Sequence, residues 1–228
     1  MDIKQRLSLL LKISKVIPFD DTSKFIFVSD IHMGVGDTAD NFKKLYKKFY
    51  ETIKIFISNG YKLVLSGDIY ELWENKNLEE IRNTYLDIFL LLDQLRAEGK
   101  LYEITGNHDL ELGFRHAYVL DNGKEKILVC HGYQGELFVD NMWTIDRFLV
   151  RYLWRFLETC GVPDISRRAK HSKQEKLLRE WAQENTKIIC GHTHRPAGDG
   201  NYWNMGSWCH GDGSAVLLSE GKLSLLIL

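Results

Sequence analysis

Residues 101–109 read LYEITGNHD, and residues 187–194 read KIICGHTH. Each is a short β-type run that breaks, at a glycine, into side chains able to bind metal ions or move protons. Three further runs also end in such side chains. Phe25–Val28 leads into Ser29-Asp30-Ile31-His32, Tyr61–Leu65 into Ser66-Gly67-Asp68, and Lys126–Cys130 into His131-Gly132. In α/β sheets ligands gather beyond the carboxyl ends of strands. Five strand ends therefore deliver Asp30, His32, Asp68, Asn107, His131, His192 and His194 to one rim, and the glycines let the chain turn sharply there.

Between these runs lie helical patterns. Phe42, Leu45, Phe49, Ile53 and Phe56 recur at helical spacing over 42–58, and Ile81, Tyr85, Ile88, Leu92 and Leu95 over 78–97. Residues 117–120 read as another strand, and 215–218 with 223–227 as a closing hairpin through Glu220-Gly221. A βαβαβ start followed by several β runs predicts an α/β sandwich. Residues 137–185 carry almost no β signal. They read as two helices, about 138–160 and 168–184, broken at Gly161-Val162-Pro163. Fifty residues make a marginal core of their own, so this is expected to be a helical insertion within one domain spanning 1–228.

The chain has 228 residues, 44% hydrophobic and 27% charged, with 30 basic against 31 acidic residues. That composition predicts a globular chain and excludes a uniformly basic nucleic-acid coat. Cys130, Cys160, Cys190 and Cys209 form no CxxC pair, which favours a reduced, cytoplasmic protein. Cys130 and Cys190 are expected to point into the core, and no cysteine is expected in the ligand set. Ile3, Leu7, Leu10 and Leu11 form one helical stripe, expected to pack on the domain, with a membrane-surface helix as the alternative. Its uncharged run is too short for a signal peptide.

Asp, Asn and His together suit hard-to-borderline divalent ions. Seven such donors exceed what one tetrahedral ion takes and fit two ions sharing a carboxylate. Manganese is the first expectation, and the same donors admit iron, zinc, cobalt or nickel. His116, His171 and His210 lie outside the motifs and read as ordinary histidines, though His171 sits among basic residues.

The ordered set D-x-H, GD, GNHD, H and GHTH resembles the calcineurin-like metallophosphoesterase superfamily. The resemblance implies a four-layer αββα sandwich. It implies that Asp30, His32 and His194 hold one ion, that Asn107, His131 and His192 hold the other, and that Asp68 bridges them, one oxygen to each. It further implies a hydroxide between the metals attacking phosphorus, and His108 protonating the leaving oxygen with Asp109 fixing its tautomer.

Gly67-Asp68-Ile69-Tyr70-Glu71-Leu72-Trp73 lacks the arginine of the protein phosphatase branch, which also ends its third motif in GNHE. GD-x-x-E-x-W, Gly191-His192-Thr193-His194-Arg195-Pro196 and Asn204-Met205-Gly206-Ser207-Trp208 are similar to the UDP-2,3-diacylglucosamine pyrophosphatase branch. The best-known members of that branch carry arginine where His108 stands. From Arg147 to Arg179 nine basic residues face three acidic ones. Arg147, Arg151 and Arg155 recur every four residues beside Phe148, Tyr152 and Phe156. Such a lid, with Arg167, Arg168, His171 and Arg195, is expected to hold a diphosphate and an apolar tail. The expected partner is a small phosphorylated substrate, lipid-linked in this reading, with peripheral contact at the inner membrane surface and no nucleic acid. A phosphodiesterase or phosphatase acting on soluble nucleotides is the rival, and a metal-free binding scaffold the alternative of another class.

Overall fold

The computed structural model describes residues 2–133, 172–211 and 213–228. Its helices are α1 (Ile3–Ile13), α2 (Tyr46–Ser58), α3 (Leu78–Thr84), α4 (Leu86–Ala97) and α5 (Ser172–Glu184). The strands in chain order are β1 (Lys15–Pro18), β2 (Phe25–Val28), β3 (Lys62–Ser66), β4 (Leu101–Ile104), β5 (Ala117–Asp121), β6 (Lys126–Cys130), β7 (Lys187–Cys190), β8 (Ala197–Asp199), β9 (Tyr202–Asn204), β10 (Ser214–Ser219) and β11 (Lys222–Ile227).

They form two sheets. One has the order β1-β5-β6-β7-β9-β8, the other β11-β10-β2-β3-β4. Strands β2, β3 and β4 run parallel, as do β6 and β7. All five carboxyl ends that carry the sequence motifs thus belong to parallel neighbours within their sheets.

Three apolar clusters separate four layers. Between the sheets lie Phe25, Phe27, Val64 and Ile104 from one and Leu120, Ile127, Val129 and Ile189 from the other. On the far face of the five-stranded sheet, Ile26, Val28, Leu63 and Leu65 meet Phe49 and Ile53 of α2 and Ile88, Leu92 and Leu95 of α4. On the far face of the six-stranded sheet, Val119, Leu128, Cys130, Ile188 and Cys190 meet Ile3 and Leu7 of α1 and Leu178 and Trp181 of α5. The alternation along each strand sends successive side chains to opposite faces, so β2 feeds two cores at once. The αββα sandwich implied by the sequence is the observed architecture.

Helix α1 is capped by Asp2, which accepts from the Gln5 amide while Gln5 reaches back. Trp181 of α5 donates to Ser8 across the contact at 3.0 Å. The apolar stripe of α1 is therefore buried on the domain. Among the described residues no helix is long and apolar enough to cross a membrane.

Three details differ from the periodicity reading. The stretch expected as one helix over 78–97 is two, because Tyr85 leaves helical geometry at φ −120° and ψ 43° and its hydroxyl donates to buried Asp40 at 2.5 Å. The helix expected over 42–58 starts as a 3-10 turn at Asn41–Lys44 before α2 begins. Strands β1, β8 and β9, three or four residues each, were not anticipated; they extend the six-stranded sheet at both edges. Helix α5 falls within the second helix expected for the insertion. The first, over 138–160, lies outside the described residues.

Candidate metal centre

The seven candidate donors meet at the common rim of the two sheets. His32, His131 and His194 are each gripped at Nδ1. The Nδ1 of His131 lies 2.8 Å from the Ser66 carbonyl, and that of His32 lies 2.6 Å from Glu71 Oε2. The Nδ1 of His194 faces Cys209 Sγ at 3.8 Å. Their Nε2 atoms turn inward. His131 Nε2 stands 3.1 Å from Asp68 Oδ2, and His194 Nε2 stands 3.1 Å from Asp30 Oδ1.

The carboxylates are held in the same one-sided way. Asp30 Oδ2 accepts from Ser29 Oγ at 2.5 Å and from the His192 amide at 2.9 Å. Asp68 Oδ1 accepts from the His108 amide at 2.8 Å. Oδ1 is thus held by the backbone while Oδ2 faces His131 and His32; an oxygen with one hydrogen bond keeps a second lone pair, so the contact is compatible with the expected sharing of one oxygen with each ion. Asp30 Oδ1, His32 Nε2, Asn107 Oδ1 and His131 Nε2 are buried without a hydrogen-bond partner among the described residues. Buried polar atoms are nearly always paired. Three of these orphans, on Asp30, His32 and His131, belong to groups whose ligand atoms lie within 4.8 Å of one another, which fits a cation, and the mixed O and N donor set fits divalent ions. Two of the clusters with metal-like spacing are Asp30, His32 and Asp68, and Asp68, His131 and His192.

The backbone is strained to achieve this. Among the described residues six non-glycines have positive φ, and five are candidate donors: Asp30, His32, Asp68, His192 and His194, between 51° and 67°. Such conformations persist only where surrounding contacts enforce them, and they cluster at functional sites. Here the Asp30 and His32 amides donate to the Gly67 and Asp68 carbonyls, and Gly191 donates to the His131 carbonyl. Gly191 has no room for a side chain, since a Cβ would lie 2.1 Å from Ser29 Oγ and 2.4 Å from Asp30 Oδ2. Asn204 clamps the same turn by donating to the Gly191 carbonyl and Thr193 hydroxyl, both at 3.1 Å. Trp208 donates its amide to the Asp30 carbonyl and packs on Phe49. The Asn204–Trp208 segment is therefore the rear wall of the site.

Charge follows from this packing. Burial opposes ionisation of Asp30 and Asp68, yet the facing histidines hold both carboxyls below the usual range. Burial likewise disfavours a charged His131 or His194. The neighbouring Asp68 and Asp30 nevertheless raise His131 to about 9, and Cys209 with Asp30 raises His194 to about 10.

His108 sits beside this cluster, partly exposed. Its ring stacks on Trp73, with centroids 4.2 Å apart, and its Nδ1 lies 2.7 Å from Glu71 Oε1. Asp109 was expected to orient His108. Instead its carboxylate accepts from the Gly106 and Ile69 amides at 2.6 and 2.8 Å, pinning the loop beneath the site. Burial, with Asp68 nearby, raises Asp109 to about 6. Glu71 is the residue on His108, a role the sequence reading missed although it quoted the motif that contains it. Two further groups reach the rim unannounced. Cys209 stands against His194 despite the expectation of a cysteine-free set, and the His210 ring lies 5.4 Å from that of His194. Cys130 and Cys190 are buried in the core as expected. Arg195 follows His194 and is exposed. Arg147, Arg151, Arg155, Arg167, Arg168 and His171 lie outside the described residues.

Residues 23–196 match the family model described as calcineurin-like phosphoesterase. The chain belongs to that family. It is a metal-dependent phosphoesterase by family, and the matched span takes in all seven donors. A search of the curated proteins finds no match. Among solved structures, a cold-active protein-tyrosine phosphatase of a psychrophilic Shewanella species is 17% identical, with TM-score 0.46, covering 93% of this chain and 80% of that one. A predicted phosphoesterase from Streptococcus pneumoniae TIGR4 is 16% identical, with TM-score 0.37, covering 90% and 97%. Vps29 from Chaetomium thermophilum is 14% identical, with TM-score 0.44, covering 91% and 95%.

Proposed function

We propose that this phosphoesterase uses two divalent ions to hydrolyse the diphosphate of a lipid-linked nucleotide of the UDP-2,3-diacylglucosamine type. Asp30, His32 and His194 would hold one ion, Asn107, His131 and His192 the other, and Asp68 would serve both. The observation that carries the metal reading is the set of buried, unpartnered donor atoms on Asp30, His32 and His131, which sit in groups of ligand atoms within 4.8 Å of one another. Bound there, two divalent ions supply Lewis acidity, which acidifies water and offsets charge on a phosphoryl group.

The protein's own groups do the rest. Glu71 Oε1, 2.7 Å from His108 Nδ1, would accept the Nδ1 proton and leave Nε2 for the substrate. Protonated His108 can then deliver its Nε2 proton to the leaving oxygen, and Trp73 holds the ring plane while it does so. Asp109 acts at one remove, fixing the Gly106 and Ile69 amides so that Asn107 and Asp68 keep their places.

For the substrate, the support is the sequence: the GD-x-x-E-x-W and Asn204–Trp208 motifs, and the basic, aromatic-rich 147–179 segment. Arg147, Arg151, Arg155, Arg167, Arg168, His171 and Arg195 would embrace the diphosphate. Peripheral contact with the inner face of a membrane would follow from a lipid-linked substrate. The test has two stages. Chelation should abolish hydrolysis of a simple aryl phosphodiester, and two ions per chain should restore it. UDP-2,3-diacylglucosamine should then exceed a panel of soluble nucleotide esters in kcat/KM. Replacing Arg151 and Arg155 by Ala should raise KM for the lipid-linked substrate far more than for an aryl phosphate. Preference for the soluble esters, with no effect of the two arginines, would replace the lipid reading by a soluble phosphodiesterase.

A further inference from the structure

The three histidines whose Nε2 atoms turn into the cluster differ in what holds the other ring nitrogen. His131 has a backbone carbonyl and His32 a carboxylate, both ordinary acceptors. His194 has a sulfur, with Cys209 Sγ 3.8 Å from Nδ1. We infer that Cys209 is the positioning residue of His194, its sulfur accepting the Nδ1 proton so that the Nε2 lone pair faces the first ion.

The argument is one of tautomers. A neutral imidazole has one protonated nitrogen and one free lone pair. The Nε2 of His194 stands 3.1 Å from Asp30 Oδ1, a buried oxygen without a hydrogen-bond partner, and is thereby the nitrogen on the ion's side. The proton then resides on Nδ1, and Cys209 Sγ is the atom placed to accept it. The backbone that carries the sulfur is fixed independently of His194, because the Trp208 and Cys209 amides both donate to the Asp30 carbonyl, at 3.0 and 3.3 Å. The same backbone oxygen thus ties the sulfur's chain position to a ligand of the same ion. Cys209 is 6% exposed, so its sulfur is largely shielded from water. Partners of this kind orient a ligating histidine and typically change metal affinity by about 10–100-fold when removed.

The inference rests on the reading of His194 as a metal ligand, and the experiment separates the two. Metal-stripped full-length protein and its Cys209→Ala variant are titrated with Mn(II), and bound metal per chain is measured. Wild type should take up two ions. Cys209→Ala should weaken one of them by about 10–100-fold and leave the other within error. A loss confined to one ion is not what a general packing defect produces, since that would weaken both. If Cys209→Ala does not fold, imidazole-nitrogen NMR of the Zn(II)-loaded wild type decides instead, and Nδ1 of His194 should carry a proton. An unprotonated Nδ1 overturns the inference, as does a sulfur-to-cobalt charge-transfer band in the Co(II)-loaded protein, which would make Cys209 a ligand. Two ions bound equally well by both proteins overturns the inference and leaves the metal reading intact. A wild type that takes up no ion overturns both.

Discussion

Oε1 of Glu71 lies 2.7 Å from Nδ1 of His108, and its other oxygen reaches His32 at 2.6 Å. One buried carboxylate therefore fixes a candidate metal ligand and the candidate proton donor together. Burial opposes its ionisation, but His108 and His32 hold it down to about 2, so it remains an acceptor for both rings at every working pH. Glu71→Gln keeps the shape and removes the charge. It should lower kcat by about 10–100-fold with little change in KM for a small aryl ester. An unchanged kcat would mean that the ring of His108 is held by Trp73 stacking alone.

His108 itself should separate chemistry from metal binding. It is not among the inward-facing donors, and its amide, not its ring, contacts Asp68. His108→Ala should keep both ions and lose about 10²–10⁴-fold in turnover, the span of a positioned acid. The loss should shrink for nitrophenyl esters, whose leaving oxygen needs no proton. Metal analysis showing one ion missing from the variant would make His108 a ligand.

The rim was legible because five short apolar runs each end at a polar motif, and strand direction carries those ends to one side. Strands β1, β8 and β9 were not. Lys15–Pro18 has only Ile17 buried, and Ala197–Asn204 alternates around a glycine-containing turn, so neither shows the period that identifies a strand. Glu71 could have been found from its spacing, three residues past Asp68, had the loop been drawn folding back over His32. Cys209 and His210 are fifteen and sixteen residues beyond His194. Only the amide bonds to the Asp30 carbonyl bring them home, and sequence pattern carries no trace of those. The left-handed backbone at five donors is equally hidden, since aspartate and histidine enter that region more readily than most side chains yet no sequence pattern announces it.

Protons should compete with metal. His131 and His194, raised to about 9 and 10, are protonated in the stripped protein at pH 7, whereas a ligand must offer a lone pair. Metal loading at neutral pH should therefore release protons and weaken as pH falls, which calorimetry in buffers of differing ionisation heat would register. The stripped protein should show the reverse sign in stability. Groups raised in the fold add stability in full below their unfolded value, near 6.5, and lose it as pH climbs through about 9 to 10. Its Tm should drop across that window while the loaded protein's does not. Parallel curves would mean the two histidines are neutral in the stripped fold.

Gly106 provides the sharpest steric test. It begins the GNHD motif, and a Cβ built on it would lie 2.1 Å from Asp68 Oδ1 and 2.3 Å from the Asp68 amide nitrogen. Neither atom can yield cheaply. Oδ1 accepts from the His108 amide, and the backbone of Asp68 receives the amides of Ile31 and His32 through its carbonyl. Gly106→Ala must therefore push apart the loops after β3 and β4, moving Asp68 Oδ2 away from His131 and Asn107 away from both. Overpacking of this kind costs about 1–3 kcal/mol in stability, enough to lower Tm without unfolding the domain. Metal binding should suffer more than stability does, because on the proposed two-ion reading Asp68 would serve both ions. The expected result is a folded variant that retains fewer than two ions and little turnover. Glycine is also needed at Gly191, but there the crowding falls on Ser29 and Asp30, so Gly191→Ala should weaken one ion chiefly. Titrating both variants with Mn(II) would show two affected ions in the first and one in the second. The same pattern in both would mean that the glycines shape the rim as a whole and do not guard individual donors.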